Sequence, residues 1–160
     1  MARWSAGDKR VISQAKETLS DELKGKLSAY CTHVKGYGDV KKSLRLLTRV
    51  IPEFRYAARF DVARYYESID HAVLLSQLKE MQVSQHNQDI VQQYLALPDR
   101  RNSDKGMIAG GSLLPLLGAV MLTPLDNPWK KKSAQGISGI SVTWMTLWYS
   151  LKPVISSEKR

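Results

Sequence analysis

A short strand that ends in an aspartate constrains the fold of this chain more than any other feature. Residues 54–62 carry aromatic and aliphatic side chains with the spacing of a strand, and Asp61 lies at its end. A polar turn at residues 67–71 follows, and a helix is predicted after it. A sheet can hold such a carboxylate in place, and a divalent cation can offset the cost of burying its charge. The segment therefore suits metal-assisted chemistry; the alternative is an aspartate that only caps the turn.

Helical periodicity dominates the rest of the chain. Residues 8–29, 71–81 and 87–97 have apolar side chains three and four positions apart, which predicts amphipathic helices. Residues 40–51 show the same spacing, with lysines and arginines on the other faces. Residues 113–122 are almost wholly apolar and predict a buried helix.

Composition limits the class of protein. The chain has 160 residues, enough for one domain with a core, and a net charge of +9 that favours a phosphate-bearing partner. Cys31 is the single cysteine, which excludes an internal disulfide and a cysteine-based zinc site. The longest apolar stretch, residues 113–125, is too short to span a bilayer, and no signal peptide is recognisable. We therefore expect a cytoplasmic protein with no membrane partner.

Residues 59–71 resemble motif A of reverse transcriptases, of the bacterial retron and group II intron kind. In that family an aspartate opens the motif, an aromatic residue lies five positions on, and a Ser-Ile-Asp-His turn leads into a helix. The corresponding residues here are Asp61, Tyr66 and residues 68–71. The resemblance implies that this strand and turn belong to a polymerase active site.

A second segment supports the same resemblance. Residues 106–117, Gly-Met-Ile-Ala-Gly-Gly-Ser-Leu-Leu-Pro-Leu-Leu, are similar to motif B of the family, and we call them the glycine block. A Leu-Asp pair follows at residues 125–126. The two segments have the order and separation that the family shows, and the resemblance covers residues 3–138.

The resemblance implies a fold and a reaction. We expect an α+β fold made of the fingers and a partial palm of a right-hand polymerase, with the thumb absent. Residues 1–53 would form a basic fingers-like region, residues 54–138 the partial palm, and residues 139–160 a tail. The implied reaction is RNA-directed DNA synthesis from deoxynucleoside triphosphates, on an RNA template with a DNA or RNA primer. It proceeds by two-metal nucleotidyl transfer with Mg²⁺.

The resemblance also implies roles for residues of the first motif. Asp61 would be a metal ligand, assisted by the backbone carbonyl of Val62. Tyr66 would be a steric gate, whose ring packs under the sugar and rejects a ribose 2′-hydroxyl. The residues alone favour a different interpretation of Tyr66, an aromatic residue of the core.

Two further groups of residues are candidates for binding. Glycines of the glycine block would let the backbone lie against the template and the incoming nucleotide, or would form a turn that opens an apolar helix. These glycines are Gly106, Gly110 and Gly111. Cations of the fingers-like region would bind phosphates, or would form a solvated helix face. These cations are Lys35, Lys41, Lys42 and Arg45.

The second metal-binding motif of the family, aromatic-x-Asp-Asp, is missing. It is expected near residues 140–150, but Glu158 is the single acid between Asn127 and Arg160. Asp61 alone cannot hold two metals. We therefore expect that the polypeptide as it stands does not polymerise.

The genetic code offers an explanation for this loss. Trp and Met have one codon each, so Trp144, Met145 and Thr146 must be encoded TGG ATG ACN. Read two bases later, the same bases contain GAT GAC, which is Asp-Asp, and the codons before them permit Tyr-Met. We interpret residues from 139 onward as out-of-frame translation after a slip between Gly136 and Gly139, with chance as the alternative.

Two other interpretations stay open. One is a non-enzymatic basic module that binds RNA or DNA through its cations and needs no metal. Salt-sensitive binding without metal-dependent primer extension would favour it. The other is the unstable product of a decayed gene, in which an incomplete sheet would leave an open edge.

Overall fold

The computed structural model describes two compact units of the chain. The first is formed by Met1–Leu27 with Ala63–Thr123, and the second by Ser28–Val62 with Pro124–Arg160. The described residues are 4–28, 31, 34, 41, 44, 45, 48, 49, 52, 56–97, 104–108, 111–134, 138–143 and 146–151. For residues 56–61, and from residue 127 onward, the description covers the backbone alone. The predicted boundaries at residues 53 and 138 stay predictions.

Helices account for most of the described residues. They are α1 (Ala6–Glu22), α2 (Tyr65–Ser68), α3 (His71–Glu80), α4 (Gln85–Leu95) and α5 (Leu114–Ala134). Three of them begin at a capping side chain, because Ser5, Asp70 and Ser84 each accept a hydrogen bond from the first turn of the helix that follows. The predicted helices at residues 71–81 and 87–97 are confirmed as α3 and α4, with small shifts at their ends.

The core of the first unit is built from the apolar faces of these helices. Each fully buried leucine stabilises the fold by about 1.5 to 3 kcal/mol relative to exposure. The largest fully buried side chains are Leu19, Leu23, Ile69, Leu74, Leu78, Val91, Leu113, Leu116, Leu117 and Val120. Their recurrence at helical spacing explains why this unit forms from helices.

The second unit contains a three-stranded antiparallel sheet. Its strands are β1 (Tyr56–Asp61), β2 (Ser138–Thr143) and β3 (Thr146–Leu151), in the order β1-β3-β2. The predicted strand at residues 54–62 is confirmed as β1. The two strands of the tail were not predicted. Their β-branched and aromatic residues have a high intrinsic preference for strands, which accounts for the hairpin.

The predicted fold class, an α+β fold made of fingers and a partial palm, is wrong. The described residues are mostly helical. The β-strands among them are β1, β2 and β3, of six residues each. The physical reason is the apolar pattern, which has a helical period over most of the chain, so that the buried side chains come from helices and their connecting turns.

A polar clasp ties the end of α1 to the beginning of α4. The carboxylate of Glu22 accepts hydrogen bonds from the Ser84 backbone N (2.7 Å), the Ser84 hydroxyl (2.6 Å) and Asn87 Nδ2 (2.8 Å). The buried Asn87 also accepts a hydrogen bond from the Thr18 hydroxyl at 3.0 Å. The amide of one α4 residue therefore bonds two side chains of α1.

Replacing Asn87 by alanine is expected to lower the free energy of unfolding by about 1 to 3 kcal/mol, because the substitution leaves partners of a buried amide unsatisfied. Urea denaturation of the two proteins measures the difference. Gln92→Ala is the matched control, since Gln92 is an exposed amide on the same helix. An equal loss in both variants would show that the clasp contributes nothing.

The clasp also predicts how stability depends on pH. Burial acts to raise the pKa of Glu22, but hydrogen bonds from Ser84 and Asn87 and the charge of Lys26 outweigh it, and the pKa is lowered. The folded state therefore favours the ionised form of Glu22. The stabilisation of the fold by Glu22 is fully present at pH values above the ordinary pKa of 4.5, and it is lost as the pH falls through the lowered pKa of the folded state.

In acid titrations followed by circular dichroism, Glu22→Gln is therefore expected to flatten the decline in stability just below pH 4.5. Asp89→Asn is the control, because Asp89 is an exposed carboxylate outside the clasp. The same decline in the wild type and in Glu22→Gln would contradict a role for the clasp.

Candidate functional site

The polar turn, together with Tyr66 just before it, is joined to the start of the glycine block by backbone hydrogen bonds. The N–H of Gly106 donates to the carbonyl of Ile69 (2.7 Å), and the N–H of Met107 donates to that of Tyr66 (2.9 Å). Asp70 and Lys105 form an antiparallel bridge between the two segments. Residues that are far apart in the sequence, and that carry both halves of the family resemblance, are thus held in direct contact.

The Asp70 and His71 side chains stabilise this junction. Asp70 caps α3 by accepting hydrogen bonds from the N–H groups of Ala72 (3.0 Å) and Val73 (3.2 Å). Nε2 of His71 lies 2.6 Å from the carbonyl oxygen of Gly106. Because a carbonyl oxygen can only accept, Nε2 carries the proton and donates it. Asp70 is therefore the cap residue of α3.

Tyr65 and Tyr66 pack on a glycine of α5. The hydroxyl of the buried Tyr65 donates to the carbonyl of Gly118 at 2.6 Å, and the two tyrosine rings are 5.3 Å apart at a tilt of 53°. A Cβ at position 118 would lie 3.1 Å from the Tyr65 ring and 3.2 Å from the Tyr66 ring. Gly118 therefore provides the space that both rings need.

Tyr66 is half-buried, and burial raises the pKa of its phenol, so that the side chain is uncharged at neutral pH. Part of the ring contacts Gly118 and part stays exposed. Tyr66 is therefore neither fully buried in the core nor fully exposed at the surface. Its role as a steric gate stays a prediction. Sequence reasoning did not find Gly118, although a glycine within an apolar helix was a signal for close packing.

The space beside two predicted binding glycines is occupied by the protein itself. Gly106 has φ +88°, and a Cβ there would lie 3.0 Å from the backbone oxygen of Glu67. A Cβ on Gly111 would collide with the Tyr94 hydroxyl, which donates to the carbonyl of Ile108 at 3.3 Å. Burial raises the pKa of Tyr94 to about 12, which keeps this donor protonated.

Both glycines therefore have a packing role inside the chain. Gly110 lies outside the described residues. Contact of the three glycines with a template or a nucleotide stays a prediction.

Asp61 is the last residue of β1, and its backbone pairs with Thr146 of β3. The description of Asp61 covers its backbone alone, and Val62, the next residue, has an exposed side chain. Where the structure describes the chain, no group of three or more His, Cys, Asp or Glu residues could hold a metal ion. The roles of Asp61 and Val62 as magnesium ligands stay predictions, because the side chain of Asp61 lies outside what the structure describes.

The predicted phosphate-binding cations are described in part. Lys41 and Arg45 are helical and exposed, which is the placement that contact with a phosphate requires. Lys35 and Lys42 lie outside the described residues. Arg49, which is helical and exposed as well, was not among the predicted cations.

Comparison with known proteins gives no relative from which a function can be transferred. The chain matches no protein-family model and no curated protein. Among the helices that the structure describes, none is long and apolar enough to cross a membrane. Any function for this chain must therefore be argued from its own residues and geometry.

Proposed function

We propose that this chain derives from an RNA-directed DNA polymerase, a reverse transcriptase of the retron or group II intron kind. We further propose that the polypeptide as it stands does not carry out nucleotidyl transfer. The resemblance of residues 59–71 and of the glycine block to two motifs of that family supports the origin. The hydrogen bonds between the polar turn and the glycine block add support, since two motifs of one active site must meet in the fold.

The register of the sheet is the observation that carries the proposal. Asp61 is paired directly with Thr146 across β1 and β3. In the shifted frame, the second Asp codon takes two of its three bases from the Thr146 codon. Residues opposite each other in an antiparallel pair have Cα atoms about 4.5 to 5.5 Å apart. If the frame-corrected chain keeps this pairing, its Asp-Asp pair would lie beside Asp61. Trp144 and Met145 themselves lie outside the described residues.

The register also supports the expected lack of activity in the polypeptide as it stands. Two-metal chemistry requires carboxylates from more than one segment, because each metal carries two positive charges that the protein must balance. In the chain as it stands, the residue opposite Asp61 is a threonine. Deoxynucleoside triphosphates, an RNA template and a primer would be the substrates of the frame-restored protein alone.

Primer extension tests the proposal. The polypeptide as it stands and the protein translated after frame correction near Gly136 are compared on a primed RNA template with Mg²⁺ and deoxynucleoside triphosphates. We expect DNA synthesis from the frame-corrected protein and none from the polypeptide as it stands. Synthesis by the uncorrected polypeptide, or a folded corrected protein that extends no primer, would contradict the proposal.

A further inference from the structure

A cavity of about 280 Å³ opens at the surface of the first unit, beside α1 and α4. Most of its described lining residues are apolar, and two of these, Val11 and Leu97, are exposed to solvent. Because ligand cavities in proteins start at about 300 Å³, a ligand of this cavity would be a small molecule. Exposed apolar side chains at its edge favour a ligand that has apolar surface of its own.

Two aromatic rings line this cavity, which we call the aromatic cavity. The rings of Trp4 and Tyr94 are stacked, with centroids 6.1 Å apart and an angle of 14° between their planes. The Tyr94 hydroxyl already donates to the carbonyl of Ile108, so Tyr94 offers its ring to a ligand. The faces of aromatic rings are electron-rich and attract cations, and tryptophan attracts them most strongly.

Stability alone does not explain the position of Trp4. Its indole nitrogen is buried and has no hydrogen-bond partner in the part of the chain that the structure describes. A buried donor without a partner disfavours the folded state. The residue as a whole is only half-buried, which leaves part of it available for contact with a ligand.

Asp8 carries the single charge among the described residues that line the aromatic cavity. Its Oδ2 accepts hydrogen bonds from the Ser5 hydroxyl (2.7 Å) and the Ser5 N–H (3.1 Å), and its own N–H donates to the Ser5 hydroxyl (3.1 Å). The bond from the hydroxyl, and then that from the backbone, lower the pKa of Asp8, which is therefore ionised at neutral pH. These bonds use N–H groups at the start of α1 that an anion would need, and the carboxylate favours a cation instead.

We propose that the aromatic cavity binds a small organic ammonium ion with apolar substituents. The positive charge lies near the Asp8 carboxylate and against the Trp4 ring, and the substituents contact apolar side chains such as Val11 and Leu97. Aromatic rings recognise quaternary ammonium ions in this way. The inference does not rest on the proposed function, because it requires neither Asp61 nor a nucleic acid.

Binding of choline and of 3,3-dimethylbutan-1-ol to the polypeptide as it stands tests the inference. The two probes have nearly the same shape, but choline alone is charged. Each titration is followed in nitrogen-15 NMR spectra through the indole N–H signal of Trp4, which the loss of that signal in Trp4→Phe identifies. Backbone amide signals of α1 report binding in the variants that lack the indole.

Asp8→Asn and Trp4→Leu are the test variants, and circular dichroism checks that they are folded. Glu17→Gln is the matched control, because Glu17 is an exposed acid two and a half turns along α1 from Asp8, on the opposite face of the helix. We expect choline to bind about tenfold more tightly than the alcohol, and each test variant to weaken choline binding about three- to tenfold. The control, and Trp4→Phe, which keeps a ring, should retain most of the affinity.

No binding of choline, or equal affinity for choline and the alcohol, would overturn the inference, since the cavity would then not select a cation. Equal losses in Asp8→Asn and Glu17→Gln would overturn it as well, because the charge of the whole helix would explain binding. A peptide with a trimethyllysine that binds more than tenfold more tightly than choline would show that the cation belongs to a protein partner, against the assignment to a small molecule. Primer extension enters none of these measurements, so the proposed function can fail while this inference stands.

Discussion

Asp61→Asn in the frame-corrected protein is expected to reduce the rate of nucleotide incorporation about a thousandfold or more. The substitution removes a charged carboxylate from the strand end that would face the restored Asp-Asp pair. A loss of about 4 kcal/mol of transition-state stabilisation corresponds to that factor, and metal-assisted reactions depend on charges of this kind for several kcal/mol. Single-nucleotide incorporation on a primed RNA template measures the rate.

Asp70→Asn is the matched control for this substitution. Asp70 lies in the same motif, but its carboxylate caps α3 through the N–H groups of Ala72 and Val73. Its replacement should change stability slightly, since asparagine also caps helices well, and should leave most of the activity. Incorporation by Asp61→Asn at more than a tenth of the normal rate would contradict a role for Asp61 in the reaction.

Gly106→Ala is expected to lower the free energy of unfolding by about 2 to 4 kcal/mol, through two separate effects. The positive φ of +88° strains any residue with a side chain, and the added Cβ would lie 3.0 Å from the backbone oxygen of Glu67. Because this oxygen belongs to the backbone of the polar turn, it cannot move without disturbing the hydrogen bonds of Gly106 and Met107 to that turn. Urea denaturation measures the loss.

Gly25→Ala separates the two effects. Gly25 has a similar φ of +77°, but no atom lies within 4 Å of the position that its Cβ would occupy. The control should therefore show the strain alone, about 1 kcal/mol. If the two variants lose the same stability, Gly106 is needed only for its backbone conformation, and close contact with the polar turn is not important.

Local features of the fold could be predicted from the sequence, because short-range rules decide them. The helices α3 and α4 follow from apolar spacing, and Asp70 follows from the preference for aspartate at helix caps. The strand ending at Asp61 follows from its aromatic and aliphatic residues. In each case the signal lies within about ten residues of the feature.

Features that depend on distant contacts could not be predicted in this way. Nothing near Gly118 in the sequence indicates that its carbonyl accepts a hydrogen bond from the Tyr65 hydroxyl. Nothing near Asn87 indicates that its side chain donates a hydrogen bond to the carboxylate of Glu22. The predicted fold class was wrong for a related reason. It relied on family resemblance over a strand and a glycine block, whereas the helical spacing of apolar residues dominates most of the chain.

The cations of residues 40–51 show a third limit. Apolar spacing predicted that Lys41, Arg45 and Arg49 lie on the polar faces of a helix, and all three are helical and exposed, but the spacing does not say what these side chains contact. The pairing of Asp61 with Thr146 was likewise beyond sequence reasoning, which placed the missing motif only by its expected distance along the chain.

Sequencing the parent DNA, from the codon of Gly106 to well beyond that of Arg160, tests the origin of this chain most directly. We predict an open frame, two bases on, that encodes Tyr-x-Asp-Asp opposite Asp61 and continues for a substantial length. A shifted frame that closes at once after residue 139 would contradict the account. The same is true of a shifted frame whose Asp-Asp codons are followed by no further open reading frame.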